Sequence, residues 1–315
     1  MKVLVTGASG FVGQALSTSL QRQGHDVVRV VRHTSLSGEV AVADLSERTD
    51  WTRILESGFD AVLHCAARAH VMNDELASPL FEYRRVNVQG TVNLARQAAV
   101  AGVKRFVFIS SVKVNGESTL PGQRFNPSDV PAPQDDYALS KHEAEQALWQ
   151  VAYDTGMEVV CIRPPLVYGP GVKGNFARMV QWIRQGAPLP LGAVHNSRSL
   201  IALDNLVDLL ALCANPERSP HAANQVFLVS DGDDVSTTEL LRRVALAYGV
   251  PARLVPVPAS WLLGAARVLG KTAVAERLLG SLQVDAAKAY ERLGWRPPVS
   301  MNEQLQKMAQ YDASI

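Results

Sequence analysis

The sequence has little of several features that would point to particular classes of protein. Its 315 residues include only three cysteines, Cys65, Cys161 and Cys213, which lie far apart and form no Cys-x-x-Cys pair. This spacing favours reduced, buried thiols in a cytosolic protein and offers no cysteine pair for a metal, and we predict no metal site. Lys and Arg total 31 against 30 for Asp and Glu. That balance gives no electrostatic reason to expect a nucleic-acid or membrane partner.

Long apolar runs are also missing. The N-terminal run has only a strand's length and ends at a glycine, so we expect no signal peptide. The stretch Trp261–Leu282 is a long, largely apolar segment, but it carries four charged side chains and is excluded as a membrane span. It predicts two amphipathic helices on either side of Gly270. We expect them to pack in the core or an interface, with binding to a membrane surface as the alternative.

What is present is an alternation of short β-branched runs with helical patterns. The predicted strands are Lys2–Thr6, Val27–Val31, Ala61–Cys65, Phe106–Ser110, Val159–Arg163 and Val226–Val229. The predicted helices are Phe11–Gln23, Val86–Ala101, Tyr137–Thr155 and Leu200–Ala214. This order predicts an α/β fold with a doubly wound parallel sheet, followed by a smaller, mostly helical C-terminal lobe.

The domain boundaries follow from a change of composition after Arg163, where prolines and glycines become frequent. We predict that residues 1–170 and about 198–230 form the main domain. Residues from about 171 to 197 and residues 231–315 then form the smaller lobe.

The first candidate site is the glycine motif Gly7-Ala-Ser-Gly10-Phe-Val-Gly13, between the first strand and the first helix. In that context Gly7 permits a tight turn, Gly10 lets the backbone approach a pyrophosphate, and Gly13 lets the helix pack on the strand. The helix start, including Phe11 and Val12, offers free N–H groups to phosphates. The alternative is an ordinary turn with glycines for geometry.

The end of the second strand indicates which dinucleotide binds. An acidic residue there would bond the ribose of NAD, but the sequence has Arg32 and His33. Arg32 is suited to a 2′-phosphate, so we predict NADP(H) as the cofactor, with NAD(H) as the alternative. The simplest alternative role of Arg32 is that of a solvent-facing arginine without a cofactor contact. Asp44, followed by Leu45, is a candidate acceptor for the adenine amino group or a turn residue.

The second candidate site consists of Ser111, Tyr137 and Lys141. Tyr137 and Lys141 lie four residues apart on a predicted helix and therefore share one face. A nearby ammonium lowers the pKa of a phenol, and Lys141 can supply it while also bonding the nicotinamide ribose of the cofactor. Tyr137, beside that cofactor, can then transfer a proton while Ser111 orients the substrate oxygen. Tyr-x-x-x-Lys alone is a weak motif, but its position after a dinucleotide motif favours catalysis over a chance surface pair.

These motifs resemble the extended short-chain dehydrogenase/reductases, in particular the nucleotide-sugar epimerase/dehydratase branch. The matching segments are Gly7–Gly13, His64–Ala67, Asn87–Thr91, Ser110-Ser111, Tyr137–Lys141, Arg163–Pro170 and Leu293–Pro297. The resemblance implies a Rossmann domain, cofactor contacts that include Ala66 and Asn87, and a lobe that grips a nucleotide diphosphate-sugar. It also implies that Asn175 and Arg198 hold the diphosphate. From the residues alone, Asn175 is equally a turn residue and Arg198 an ion-pair partner.

Departures from the family pattern narrow the reaction. Dehydratases place acidic residues directly after the serine position, where this chain has Val112 and Lys113, so dehydration is disfavoured. Leu166 and Asn115 also replace an asparagine and a tyrosine of the usual pattern. Because Arg32 favours a dissociable NADPH, we predict a 4-keto reductase of a nucleotide sugar. The overall sequence also resembles bacterial O-antigen enzymes that act on UDP-N-acetylhexosamines. This resemblance implies that the substrate is a UDP-4-keto-6-deoxy-N-acetylhexosamine of bacterial polysaccharide (O-antigen, lipopolysaccharide) biosynthesis.

Other functions stay open. The main alternative is a UDP-hexose or UDP-N-acetylhexosamine 4-epimerase with bound NAD. A non-catalytic NADP(H) sensor and a reductase of small hydrophobic ketones are further alternatives. The resemblance also implies a cytoplasmic homodimer whose interface is built from the helices Val86–Ala101 and Tyr137–Thr155.

Overall fold

The computed structural model describes residues 1–34, 38–68 and 78–314. Within them, seven strands form a parallel sheet in the order β3-β2-β1-β4-β5-β6-β9, and β7 pairs with β8 in a small second sheet. The strands are β1 (Lys2–Thr6), β2 (Asp26–Val31), β3 (Glu39–Ala41), β4 (Ala61–His64), β5 (Arg105–Ile109), β6 (Glu158–Arg163), β7 (Leu166–Tyr168), β8 (Leu200–Ala202) and β9 (Gln225–Leu228). The predicted doubly wound sheet is confirmed.

Helices cover both faces of this sheet and continue into the C-terminal region. They are α1 (Phe11–Arg22), α2 (Thr52–Leu55), α3 (Pro79–Tyr83), α4 (Thr91–Val100), α5 (Asp136–Thr155), α6 (Gly174–Arg184), α7 (Leu203–Ala214), α8 (Thr237–Ala247), α9 (Ala259–Val268), α10 (Thr272–Leu279), α11 (Ala287–Leu293) and α12 (Met301–Ala313). A π-helical segment, Arg84–Gly90, leads directly into α4. The two helices predicted around Gly270 are α9 and α10. No helix in the described part of the chain is long and apolar enough to cross a membrane.

One predicted helix was partly wrong. Residues 200–214 do not form a single helix, because Leu200–Ala202 is a strand that pairs with β7 before α7 begins. All three strand residues are buried, and the Asp231 carboxylate accepts a hydrogen bond from the backbone N of Ala202. An apolar run that continues straight into a helical pattern hides such a boundary, because three residues are too few to show a period.

The core explains why the strands are apolar on both sides. Val3 and Val5 point to one face, where they pack with α1 and α7, while Leu4 points to the other face. On that second face Phe106 and Leu148 belong to the cluster that packs α4 and α5 against the sheet. Successive side chains of a strand alternate between faces, so a sheet covered on both faces needs continuous apolar runs.

A third cluster lies between α6, α8, α12 and the small sheet, and it includes Tyr168, Phe176, Leu241 and Leu305. It forms a core separate from the two that cover the main sheet. The predicted division into a dinucleotide domain and a substrate lobe stays a prediction. So does the homodimer.

Candidate active site

The glycine loop brings two backbone segments into contact. Gly7 has a φ of +66°, and a Cβ there would lie 2.7 Å from the backbone N of Ala66. A Cβ on Gly13 would lie 2.2 Å from the carbonyl oxygen of Gly7. Side chains are therefore excluded at both positions. The loop turns through a hydrogen bond from Gly10 N to Gly7 O (2.9 Å), as a dinucleotide fingerprint requires.

Helix α1 starts from this loop with its first N–H groups available. Gly10 is its N-cap and supplies no side-chain hydrogen bond. Uncapped N–H groups at a helix start attract phosphate groups. Phe11 and Val12 are half-buried and pack against the core of the sheet, so their backbone rather than their side chains serves the loop.

A cleft with a volume of about 570 Å³ opens beside this loop. Six of the predicted cofactor residues line it: Gly7, Gly10, Arg32, Asp44, Leu45 and Ala66. The glycines that admit a close backbone approach, the uncapped helix and the cleft together fit the adenosine diphosphate part of a dinucleotide.

The residues predicted to choose the cofactor lie at the edge of this cleft. Arg32 and His33 follow β2 directly and both are exposed. Asp44 is engaged with a partner that sequence reasoning missed, because both its carboxylate oxygens accept from Nη1 of Arg85 (2.8 and 2.7 Å). The same contact lowers the pKa of Asp44 below its ordinary value. Arg85 lines the cleft as well, so it is a further candidate contact for the cofactor.

A buried chain of hydrogen bonds ties the strands beneath the loop together. Oγ1 of Thr6 lies 2.7 Å from Nδ1 of His64, and Nε2 of His64 lies 2.9 Å from Oγ1 of Thr91. Burial lowers the pKa of His64 to about 3, with a further contribution from the charge of Lys141. The imidazole is therefore neutral, and it joins β1, β4 and α4 behind the cofactor cleft.

Ser111 lies two residues beyond β5 and is nearly buried. Its Oγ accepts a hydrogen bond from the backbone N of Lys113 (3.2 Å), which caps the short 3₁₀ turn Val112–Val114. Because the oxygen is the acceptor in this contact, the hydroxyl hydrogen is left to donate elsewhere. This orientation suits the predicted role of bonding a substrate oxygen.

Tyr137 and Lys141 are one turn apart near the start of α5. Asp135 caps this helix by accepting from the backbone N of Ala138 (2.7 Å). The Tyr137 ring meets the Tyr83 ring edge-on, with centroids 6.3 Å apart. The ammonium of Lys141 donates to the carbonyl of Ile109 (2.6 Å), so α5 is tied to the end of the strand that leads to Ser111. The structure thus brings the three predicted catalytic residues to one end of β5.

The electrostatics of this group differ from the expectation. Burial raises the pKa of Tyr137 above its ordinary value, and the charge of Asp135 adds to the effect. Burial also lowers the pKa of Lys141 to about 8, against an opposing effect of the Glu145 charge. We expected Lys141 to lower the pKa of Tyr137. In this structure desolvation outweighs any such effect, and the ammonium is directed to the Ile109 carbonyl.

Asn87 lies in the π-helical segment and is buried. Its Oδ1 accepts from the backbone N of Arg68 (2.7 Å), and its Nδ2 donates to the Arg68 carbonyl (3.1 Å) and to Oγ of Ser140 (3.0 Å). Ser140 in turn donates to the carbonyl of Tyr137 (2.8 Å). Asn87 therefore connects the cofactor cleft to the helix that carries Tyr137. Its predicted cofactor contact stays a prediction.

A buried ion pair behind the active site was not expected from the sequence. Arg163 donates to both carboxylate oxygens of Glu145 (2.9 and 2.5 Å) and to Oδ1 of Asn115 (2.9 Å). Glu145 is one helical turn beyond Lys141 on α5. Asn115 replaces a family tyrosine, and the structure gives it a role as the third member of this network.

The two residues predicted to bind the diphosphate lie in different settings. Asn175 belongs to the first turn of α6 rather than to a loop, and it is exposed. Arg198 is half-buried, and its Nη1 donates to the carbonyls of Arg277 (2.5 Å) and Gly280 (3.1 Å). Burial lowers the pKa of Arg198. Both contacts are to carbonyls at the end of α10, and the diphosphate roles stay predictions.

Comparison with known proteins agrees with this geometry. Residues 3–227 match the model of the NAD dependent epimerase/dehydratase family. The chain is 49% identical over 313 residues to a UDP-glucose 4-epimerase of Vibrio cholerae, covering 98% of this chain and 94% of that protein.

Solved structures share the fold over the whole chain. MoeE5 in complex with UDP-glucose and NAD is 25% identical, covers 100% of this chain and 99% of its own, and has a TM-score of 0.78. A UDP-N-acetylglucosamine 4-epimerase of Bacillus cereus has a TM-score of 0.80 over 98% of both chains at 19% identity, and it shows the fold alone.

Proposed function

This chain belongs to the NAD dependent epimerase/dehydratase family, and we propose that it inverts the configuration at C4 of a UDP-hexose. Family membership makes it an NAD(P)-dependent enzyme that acts on nucleotide sugars. The observation that carries the finer proposal is the 49% identity, over nearly the full length, to a UDP-glucose 4-epimerase. The site supports it, because the dinucleotide cleft is lined by residues that follow β1 and β4, while the serine and the lysine lie at the end of β5, the strand next to β4.

The proposed division of labour follows from the contacts. Tyr137 removes the proton of the C4 hydroxyl and returns it to the same oxygen after inversion. Ser111, whose oxygen already accepts from Lys113, donates its own hydrogen to that sugar oxygen. Lys141 holds the cofactor ribose and supplies positive charge near the phenol. The nicotinamide, when bound, supplies reversible hydride transfer at the sugar carbon.

A protonated Tyr137 favours the return of the proton to the sugar oxygen and opposes its removal from the C4 hydroxyl. Burial and Asp135 both raise the pKa of the phenol, so proton donation is favoured. Proton removal needs an added positive charge near the ring, which Lys141 provides once its ammonium moves from the Ile109 carbonyl towards the substrate side. We infer that this movement of Lys141 accompanies the binding of cofactor and substrate.

The sequence favoured a 4-keto reductase, and the comparisons support its alternative, the epimerase, better. That preference depended on Arg32, which lies exposed at the edge of the cleft. An exposed arginine there admits NADP(H) without requiring it. For the epimerase we propose NAD as the cofactor, in line with the NAD and UDP-glucose complex of MoeE5.

Further proposals concern the substrate and the assembly. Asn175 and Arg198 stay our candidates for the UDP diphosphate. The division into a dinucleotide domain and a substrate lobe, the homodimer through the helices around Asn87 and Tyr137, and a cytoplasmic location also remain proposals.

The experiment is an incubation of the purified protein with UDP-glucose and, separately, with UDP-N-acetylglucosamine, without added cofactor. We expect the C4 epimer to form, and NAD to be released when the protein is denatured. Oxidation of NADPH with a UDP-4-keto sugar, in the absence of any epimerisation, would establish the reductase instead. Tight NADPH binding without turnover of any nucleotide sugar would support the sensor.

A further inference from the structure

Lys113 contacts both Ser111 and the residue that caps α5, the helix that carries Tyr137. Its backbone N donates to Oγ of Ser111, and its ammonium donates to Oδ2 of Asp135 (2.6 Å) and to Oε1 of Glu117 (2.8 Å). The side chain is about three-quarters buried, as are the two carboxylates. Such a lysine is paired with two carboxylates and largely removed from water, unlike a solvated surface charge.

Asp135 connects Lys113 to the helix that carries Tyr137. One oxygen of Asp135 caps α5 by accepting from Ala138 N, and the other accepts from Lys113. Tyr137 is the second residue of the same helix, so the orientation of its first turn depends on the cap. The lysine therefore fixes the Ser111 loop and the start of the Tyr137 helix to each other.

The contact between Lys113 and Asp135 also changes the charge near the Tyr137 phenol. Within the described part of the chain, burial raises the proton affinity of Tyr137, and Asp135 and the Tyr83 phenol add to this effect. Of these, Asp135 carries a full negative charge at neutral pH. An ammonium 2.6 Å from its carboxylate offsets that charge in a partly dehydrated setting, where Coulomb interactions are stronger than in water.

We propose that Lys113 is a positioning residue for the active site: it joins the Ser111 loop to Asp135 at the start of α5 and shields the Tyr137 phenol from the Asp135 charge. The proposal rests on the proposed function, in which Tyr137 must lose and regain a proton at each turnover.

The test is a pH profile of kcat and KM for the variants Lys113→Met and Lys113→Arg. Loss of the ammonium should shift the pH of half-maximal kcat upward by about one unit, lower kcat at pH 7 about tenfold, and leave KM within about twofold. The arginine variant keeps the charge and should restore the profile. Lys307→Met removes a lysine that also lies 2.6 Å from an aspartate, Asp204, and serves as the matched control.

A second variant separates charge from folding. Lys113→Met combined with Asp135→Asn removes both charges, while the asparagine oxygen can still cap α5. The pH midpoint should return to that of the wild type. An unchanged midpoint in Lys113→Met, or a shift that the double variant and the arginine variant both fail to reverse, would overturn the proposal.

Failure of the proposed function is distinguishable, because it would appear as a wild-type protein that epimerises no UDP-hexose. In that case the Tyr137 phenol is titrated directly by ¹³C NMR of protein labelled at tyrosine Cζ and saturated with NAD, with Tyr137→Phe used for assignment. Lys113→Met should raise the Tyr137 midpoint relative to wild type and Lys307→Met. Equal midpoints in the three proteins would refute the proposal whatever the reaction is.

Discussion

Replacing Arg163 by methionine should destabilise the protein strongly, although the residue does not contact substrate. The guanidinium donates two hydrogen bonds to Glu145 and one to Asn115, and both charged side chains are nearly inaccessible to solvent. Removing one partner of such a pair leaves an uncompensated buried charge, which costs about 3–5 kcal/mol. That loss is a large share of the roughly 5–15 kcal/mol that usually stabilises a folded domain.

The assay is urea unfolding followed by both tryptophan fluorescence and far-UV circular dichroism, whose transitions must coincide for a free energy to be derived. The matched double variant Arg163→Met with Glu145→Gln removes the stranded charge and should recover part of the loss. The reasoning would be refuted if Arg163→Met lowered the free energy of unfolding by less than about 1 kcal/mol. It would also be refuted if the two substitutions were additive, so that Glu145→Gln lowered the free energy of unfolding as much in Arg163→Met as in the wild type.

Three further predictions address the cofactor loop, the acid–base group and the buried histidine. Gly13→Ala places a Cβ 2.2 Å from the Gly7 carbonyl oxygen, so it should abolish NAD retention, measured by the absorbance of the released cofactor. Gly264→Ala in α9, where a Cβ would meet open space, serves as the control for an added methyl group. Tyr137→Phe should lower kcat by about 10²–10⁴ with little change in KM, as steady-state kinetics would show. The pKa of His64 is lowered to about 3 from an ordinary 6.5, so the folded state stays neutral where the unfolded state takes up a proton. Stability should therefore fall as the pH drops below 6.5, by up to about 1.4 kcal/mol per pH unit between 6.5 and 5, and His64→Gln should lack this contribution in urea unfolding.

The fold and the placement of Tyr137 and Lys141 on one helix were predictable because their signals are local. Lys2–Thr6 followed by the glycine motif announces a strand, a loop and a helix within 20 residues, and Tyr137 and Lys141 mark one helix face by their spacing. Leu200–Ala202 was missed because three buried residues merge with the helix that follows.

The supporting contacts were not predictable, because each joins residues that are distant in sequence. The sequence around Arg163 does not indicate Glu145 or Asn115 as its partners. The sequence around Asp44 likewise does not indicate Arg85. The direction of the pKa shift at Tyr137 also depends on burial, which one sequence does not give.

The most direct test of the central claim uses UDP-glucose that carries deuterium at C4 of the sugar. The epimerase reaction moves this hydrogen away from C4 and returns it to the same carbon, while the hydroxyl proton passes through Tyr137. The product, followed by NMR, should be UDP-galactose with the deuterium still at C4 and with no net consumption of NAD or NADPH. Loss of the label to solvent, or product formed only in proportion to NADPH consumed, would contradict the account.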